Sequence, residues 1–74
     1  MYLVLAIQLE GCSQIGVFKS LKEAKNSFKE EIEKDDLSYT LGVAIYDLNE
    51  SKIFGRGDYG FYGDPIEEWE NPAY

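Results

Sequence analysis

The stretch SLKEAKNSFKEEIEK, residues 20–34, decides the fold because it holds the clearest local signal in the chain. Its first four residues fit a capping box, in which the Ser20 hydroxyl and the Glu23 carboxylate each accept a hydrogen bond from a free amide at a helix start. Apolar residues then recur at helical spacing in one narrow stripe, formed by Leu21, Ala24, Phe28 and Ile32. The pattern predicts one amphipathic helix over residues 21–34.

The segments on either side of this helix show the pattern of β-strands. Residues 2–9 and 14–18 precede the helix, and residues 10–13 between them predict a short turn. Residues 39–48 follow the helix and lead through another turn into a predicted fourth strand, residues 52–56. The order predicts an α+β fold of the ββαββ type: an antiparallel four-stranded sheet with one amphipathic helix packed on one face.

The two faces of this sheet are predicted to differ. The large aliphatic residues share one parity and are expected to meet the helix; they are Leu3, Leu5, Ile7, Leu9, Ile15, Val17, Leu41, Val43 and Ile45. The other parity supplies mostly small residues with aromatic borders, namely Val4, Ala6, Gly16, Thr40, Gly42 and Ala44 with Tyr2, Phe18 and Tyr46. Since one helix does not cover both faces, the other face requires the C-terminal tail, a second subunit or a partner.

The length of 74 residues fits a single domain. We divide it into a core, residues 1–57, and an acidic, aromatic-rich tail, residues 58–74, which is predicted to be irregular because Pro65 and Pro72 favour an extended path. A chain this short has a small stability margin, for which dimer formation is an ordinary remedy. Cys12 is the only cysteine, which rules out an internal disulfide and favours a cytoplasmic location.

The composition argues against catalysis. The chain has no histidine, so the usual general base near neutral pH is missing, and Cys12 has no histidine to activate its thiol. One cysteine without histidine does not make a zinc site. We therefore expect a protein that is not an enzyme, with no catalytic residue, no bound metal and no cofactor.

Residues 55–60, Gly-Arg-Gly-Asp-Tyr-Gly, match the dinucleotide fingerprint G-x-G-x-x-G and follow a predicted strand. The fingerprint requires a helix whose first amides face the pyrophosphate, whereas Phe-Tyr-Gly-Asp-Pro follows, which does not start a helix. The tripeptide at residues 56–58, Arg-Gly-Asp, also occurs in integrin ligands, but three residues are a weak pattern. The glycines are better explained as a strand end, a bulge or a flexible exit.

The net charge of −7 is concentrated in the tail and at the end of the helix. Residues 58–74 contain five acidic residues and no basic one, and further acids crowd the helix end, where the helix dipole favours cations. Such a distribution repels phosphate backbones and anionic membranes. We therefore expect neither direct nucleic-acid binding nor membrane binding.

The tail mixes its acids with five of the eleven aromatic residues of the chain. Tryptophan and tyrosine are favoured anchors in interfaces, and surrounding acids steer a basic partner. The predicted partner-binding residues are Asp58, Tyr59, Phe61, Tyr62, Asp64, Glu67, Glu68, Trp69 and Glu70 in the tail, with Glu30, Glu33, Asp35 and Asp36 at the helix end. The alternative is that the rings fold back on the uncovered sheet face and complete the core.

Three functions are compatible with these features. The first is a small acidic protein-binding module that occupies a basic, nucleic-acid-binding site of another protein, as do nucleic-acid mimics encoded by phages and mobile elements to inhibit host nucleases or defence proteins. The second is a small homodimeric structural or regulatory subunit that uses its exposed sheet face. The third, an enzyme or a small-ligand carrier with the glycine segment as its loop, is disfavoured by the composition.

Overall fold

The computed structural model describes residues 1–8, 11–34, 40–49 and 64–73. In these residues one helix and four strands follow one another in the order β1 (Tyr2–Gln8), β2 (Gly11–Phe18), α1 (Leu21–Ile32), β3 (Thr40–Asp47) and β4 (Glu67–Glu70). The strands form one antiparallel sheet in the order β2-β1-β3-β4, with α1 packed on one face. The predicted α+β class and the ββαββ order are confirmed.

The helix begins where the capping signal predicts. Ser20 is extended, and its side-chain oxygen accepts a hydrogen bond from the Glu23 amide at 3.2 Å. The helix ends at Ile32, two residues earlier than predicted, and the Glu33 amide closes its last turn by donating to the Lys29 carbonyl at 3.1 Å.

The fourth strand comes from the tail, which was predicted to be irregular. Strand β4 lies between Pro65 and Pro72, so the prolines flank the paired residues instead of interrupting them. Its four residues pair antiparallel with β3, from Gly42 opposite Glu70 to Ile45 opposite Glu67. The segment from which the fourth strand was predicted, residues 52–56, lies outside the described residues.

Strand β2 is longer than predicted, because it begins at Gly11 and thus includes most of the expected turn. Gly11 has a φ of +152°, a conformation that glycine adopts more readily than other residues. Cys12 therefore lies on a strand, opposite Ile7, and its free thiol is exposed.

The helix packs on the opposite parity of β1 from the one predicted. The sheet face against α1, the helix face, carries Val4 in β1 with Val43 and Ile45 in β3. Val4 pairs with Ile45, so the two side chains lie on the same face although their numbers differ in parity. The prediction was right for Val43 and Ile45 of β3 and for Ile15 of β2. It was wrong for β1, for Val17 and for Leu41, which lie on the opposite side of the sheet. The remaining residues of this core are Ala24 and Phe28 of the helix, with Tyr2, Ile15, Phe18, Leu21, Ile32 and Trp69 around them.

The opposite side of the sheet, the far face, is buried at its centre. Leu5, Ile7, Ala44 and Tyr46 form a second core cluster, and Ala44 and Tyr46 are fully buried. Leu5 lies opposite Ala44 and Ile7 opposite Gly42, so large residues of β1 face small residues of β3. The prediction that small residues form this face is right for Gly42 and Ala44 of β3 and wrong for β1, which contributes large aliphatic residues. The first six residues of the tail, 58–63, lie outside the described residues. That they cover this face therefore stays a prediction.

Candidate functional site

Strand β4 is an acidic edge of the described sheet. Three of its four residues are glutamates and all three are exposed, whereas Trp69 is half-buried. Side chains alternate between the two faces, so Glu67 and Trp69 lie on the helix face. Glu68 and Glu70, opposite Ala44 and Gly42, lie on the far face.

The helix-face side of this edge is next to positive charge. The ammonium group of Lys25 lies 3.8 Å from a carboxylate oxygen of Glu67, and both side chains are exposed. Lys22 and Lys29 lie three and four residues from Lys25 and therefore share its side of the helix. An exposed pair of this kind adds little stability, but it locates the basic flank of α1 beside β4. The glutamates of the far face are directed away from that flank.

The predicted anchor Trp69 contributes to the fold. Its ring packs against the core beneath the helix, and its backbone pairs with Val43. A half-buried ring in this position extends the helix-face core to the edge of the sheet. Its burial there leaves the neighbouring glutamates as the exposed groups of β4.

Two hydrogen-bonded ends fix β4 against β3. At the start, the Ile66 amide donates to the Ile45 carbonyl at 2.8 Å. At the end, the Asn71 amide donates to the Leu41 carbonyl at 2.8 Å, and the Asn71 side chain donates to the Thr40 carbonyl at the same distance. The glutamates are thus displayed from a backbone held at both ends. Sequence reasoning missed Asn71, although an Asn-Pro pair is a known turn signal.

The acids predicted at the helix end belong to a different surface. Glu30 and Glu33 are exposed. Glu30 is two residues from the buried Phe28, and therefore lies on the side of the helix that faces away from the sheet. Glu31, which was not predicted, is buried and forms an ion pair with Lys34 at 2.7 Å. The helix acids and the far-face glutamates are consequently separated by the sheet.

Several predicted partner-binding residues lie outside the described residues: Asp35, Asp36, Asp58, Tyr59, Phe61 and Tyr62. Asp64 is exposed just before β4. Within the described ranges, no group of three or more histidine, cysteine, aspartate or glutamate residues is arranged to hold a metal ion. In the same ranges, no helix has the length and apolar character needed to cross a bilayer.

Comparison with models of known protein families, with curated proteins and with solved structures finds no significant match to this chain.

Proposed function

We propose that this chain is a small acidic protein-binding module that places the far-face side of β4 against a basic site of another protein. The observation that carries the proposal is the pair Glu68 and Glu70: both are exposed, both lie on the same side of a fixed edge strand, and both are directed away from the helix lysines. We further propose that the basic site normally binds nucleic acid and that this chain inhibits it, as phage-encoded inhibitors of host defence proteins do.

The geometry of a strand suits this role. Residues two apart on one face are separated by roughly 6.6–6.8 Å, so Glu68 and Glu70 are spaced to meet two different basic side chains. Their backbone is held at both ends by β3, so that little of it has to be ordered on binding. A net charge of −7 accelerates the encounter with a basic surface, and this effect weakens as salt rises.

The proposal is tested by two double variants that change the charge equally on different surfaces. E68Q/E70Q removes the far-face glutamates, and the control E30Q/E33Q removes two exposed helix acids. The immobilised parent chain should retain a protein from extract of its native host at low salt, and excess double-stranded DNA should displace that protein. E68Q/E70Q should lose most of the retention, whereas E30Q/E33Q should keep it.

Circular dichroism establishes that both variants are folded. Equal retention by the parent and E68Q/E70Q would place the contact elsewhere and refute the proposed site. A retained protein that DNA does not displace would refute the assignment to a nucleic-acid-binding site. Failure of the parent chain to retain any protein would count against a binding module of this kind.

A further inference from the structure

The two edges of the described sheet are protected very differently. Edge strands present unpaired backbone groups, and proteins commonly block them with charged residues or prolines. Strand β4 has both protections, three glutamates and a proline near each end. Strand β2 is twice as long and contains neither a charged residue nor a proline.

The side chains along β2 are also accessible. Cys12, Gln14 and Val17 are exposed on its far-face side, opposite Ile7, Leu5 and Leu3 of β1. Val17 has 40% of its surface exposed, and a Cβ atom at Gly11 would find no other atom within 4 Å. The exposed side of β2 therefore adjoins the second core cluster.

We propose that β2 is a self-association edge, at which two copies of this chain pair their β2 strands antiparallel about a two-fold axis. The product is one continuous eight-stranded sheet. In such a pair the same surface of each copy meets the other, so every contact occurs twice. This proposal rests on β2 alone and is independent of the function proposed for β4.

Charge selects a second copy as the occupant of this edge. A chain with a net charge of −7 repels its own copy over most of its surface. The described sheet has two edge strands, β2 and β4, and only β2 has no charged residue. Two copies therefore approach each other along β2 with the least repulsion. In the sequence, Glu10 directly precedes β2 and Lys19 directly follows it, so charged residues occur only beyond the two ends of the strand. Full antiparallel pairing of Gly11–Phe18 places the two Lys19 residues at opposite ends, nine residues apart along the strands, which is roughly 30 Å.

A register irregularity limits the strength of this pairing. The register between β1 and β2 shifts between Val4 and Leu5, where Ile15 is the additional residue of β2. A bulge interrupts the regular row of edge groups, and strand pairing alone buries less area than a standard interface. We therefore expect a weak dimer that dissociates on dilution from about 1 mM to about 10 µM.

The test uses the full chain and sedimentation equilibrium over this concentration range. The mass should rise towards twice the chain mass of 8.5 kDa, and more strongly in high salt, because salt screens the repulsion between copies. Gln14→Lys puts a charge on the exposed edge and should raise the dissociation constant by about tenfold or more. The matched control Asn26→Lys adds the same charge to an exposed helix position and should leave the dimer intact.

Gln14→Lys lowers the net negative charge, so a loss of dimer would not result from greater overall repulsion. Should this variant unfold, Val17→Thr, which keeps the branched side chain and removes apolar surface, serves in its place and should weaken the dimer. A parent chain that stays monomeric at about 1 mM would overturn the proposal. A dimer whose dissociation constant Gln14→Lys leaves unchanged would also overturn it, and its disruption by E68Q/E70Q would place the contact at β4 instead.

Discussion

Asn71 ties the end of β4 to the start of β3 through its backbone and its side chain. The side-chain amide nitrogen donates to the Thr40 carbonyl at 2.8 Å, and the side-chain oxygen accepts from the Ala73 amide at 3.0 Å. Both Asn71 and Thr40 are buried. Buried polar groups are tolerated where they are hydrogen-bonded, and this side chain provides the donor for the buried Thr40 carbonyl.

Replacing Asn71 by alanine should therefore destabilise the protein. The Thr40 carbonyl would lose the donor that the side chain supplies, and the expected loss is about 1–3 kcal/mol in the free energy of unfolding. Urea denaturation followed by circular dichroism measures this loss. Asn26→Ala makes the same chemical change at an exposed position inside the helix, where the higher helix propensity of alanine should raise stability by no more than about 0.7 kcal/mol. Equal effects of the two substitutions would show that the Asn71 hydrogen bonds contribute nothing.

At the scale of elements, the sequence predicts best what is decided locally. The helix start depends on Ser20 and Glu23, three residues apart, and the predicted start is correct. The position of β4 depends on β3, whose paired residues lie more than 20 positions away in the chain. Glutamates have a low preference for strands, so nothing local marks residues 67–70 as a strand. Their pairing with β3 provides the stabilisation that the strand preference of these residues does not.

The incorrect face of β1 has the same origin. Both parities of β1 are apolar: Tyr2, Val4 and Ala6 alternate with Leu3, Leu5 and Ile7. A strand buried on both faces does not reveal from its own pattern which face meets the helix. The register with β3 decides it, since Val4 pairs with Ile45. The glutamates of the candidate site were predictable from the composition. Their distribution over the two sheet faces was not, because it follows from the pairing of β4 with β3.

The position of Trp69 separates its role from that of the glutamates beside it. Trp69→Ala should lower the free energy of unfolding by about 2–3 kcal/mol, less than the loss typical of a fully buried tryptophan because the ring is half-buried. Trp69→Phe, which keeps a ring on the helix-face core, should recover most of the stability. Urea unfolding monitored by circular dichroism measures both, since neither variant retains the single tryptophan for fluorescence.

Binding gives the second readout for these variants. If β4 binds through its far face, Trp69→Phe should retain the partner as well as the parent chain does. A folded Trp69→Phe protein that loses the partner would make the ring itself an interface anchor and would contradict its assignment to the core.

For the molecule as a whole, the charge is unbalanced over a small volume. The chain has fourteen acidic and seven basic residues, and the part that the structure describes extends over 30 × 26 × 16 Å. The Debye length is about 30 Å at 0.01 M salt and about 10 Å at 0.1 M. At low salt the acids of the helix and those of β4 therefore repel one another across the whole molecule, whereas at higher salt each group interacts only with its neighbours.

The thermal midpoint should consequently rise with sodium chloride. Exposed ion pairs such as Lys25 with Glu67 weaken as salt rises, but they contribute little, and the excess of acids makes relief of repulsion the larger effect. A relief of about 1 kcal/mol corresponds to about 4–8 °C for a domain of this size. Scanning calorimetry between about 0.01 M and about 0.5 M salt measures the change, at a protein concentration where the mass is that of one chain.

The variants E68Q/E70Q and E30Q/E33Q distinguish screening from a general effect of salt on apolar burial. Each variant removes two negative charges, so screening of repulsion requires the thermal midpoint of both to rise less steeply with salt than that of the parent chain. The two variants should behave alike, because long-range repulsion depends on the net charge more than on which surface carries it. Identical slopes in the parent and both variants would assign the rise to the solvent instead. A midpoint that falls with salt would mean that ion pairs outweigh repulsion, and that the acids of this chain are compensated far better than their two-to-one excess suggests.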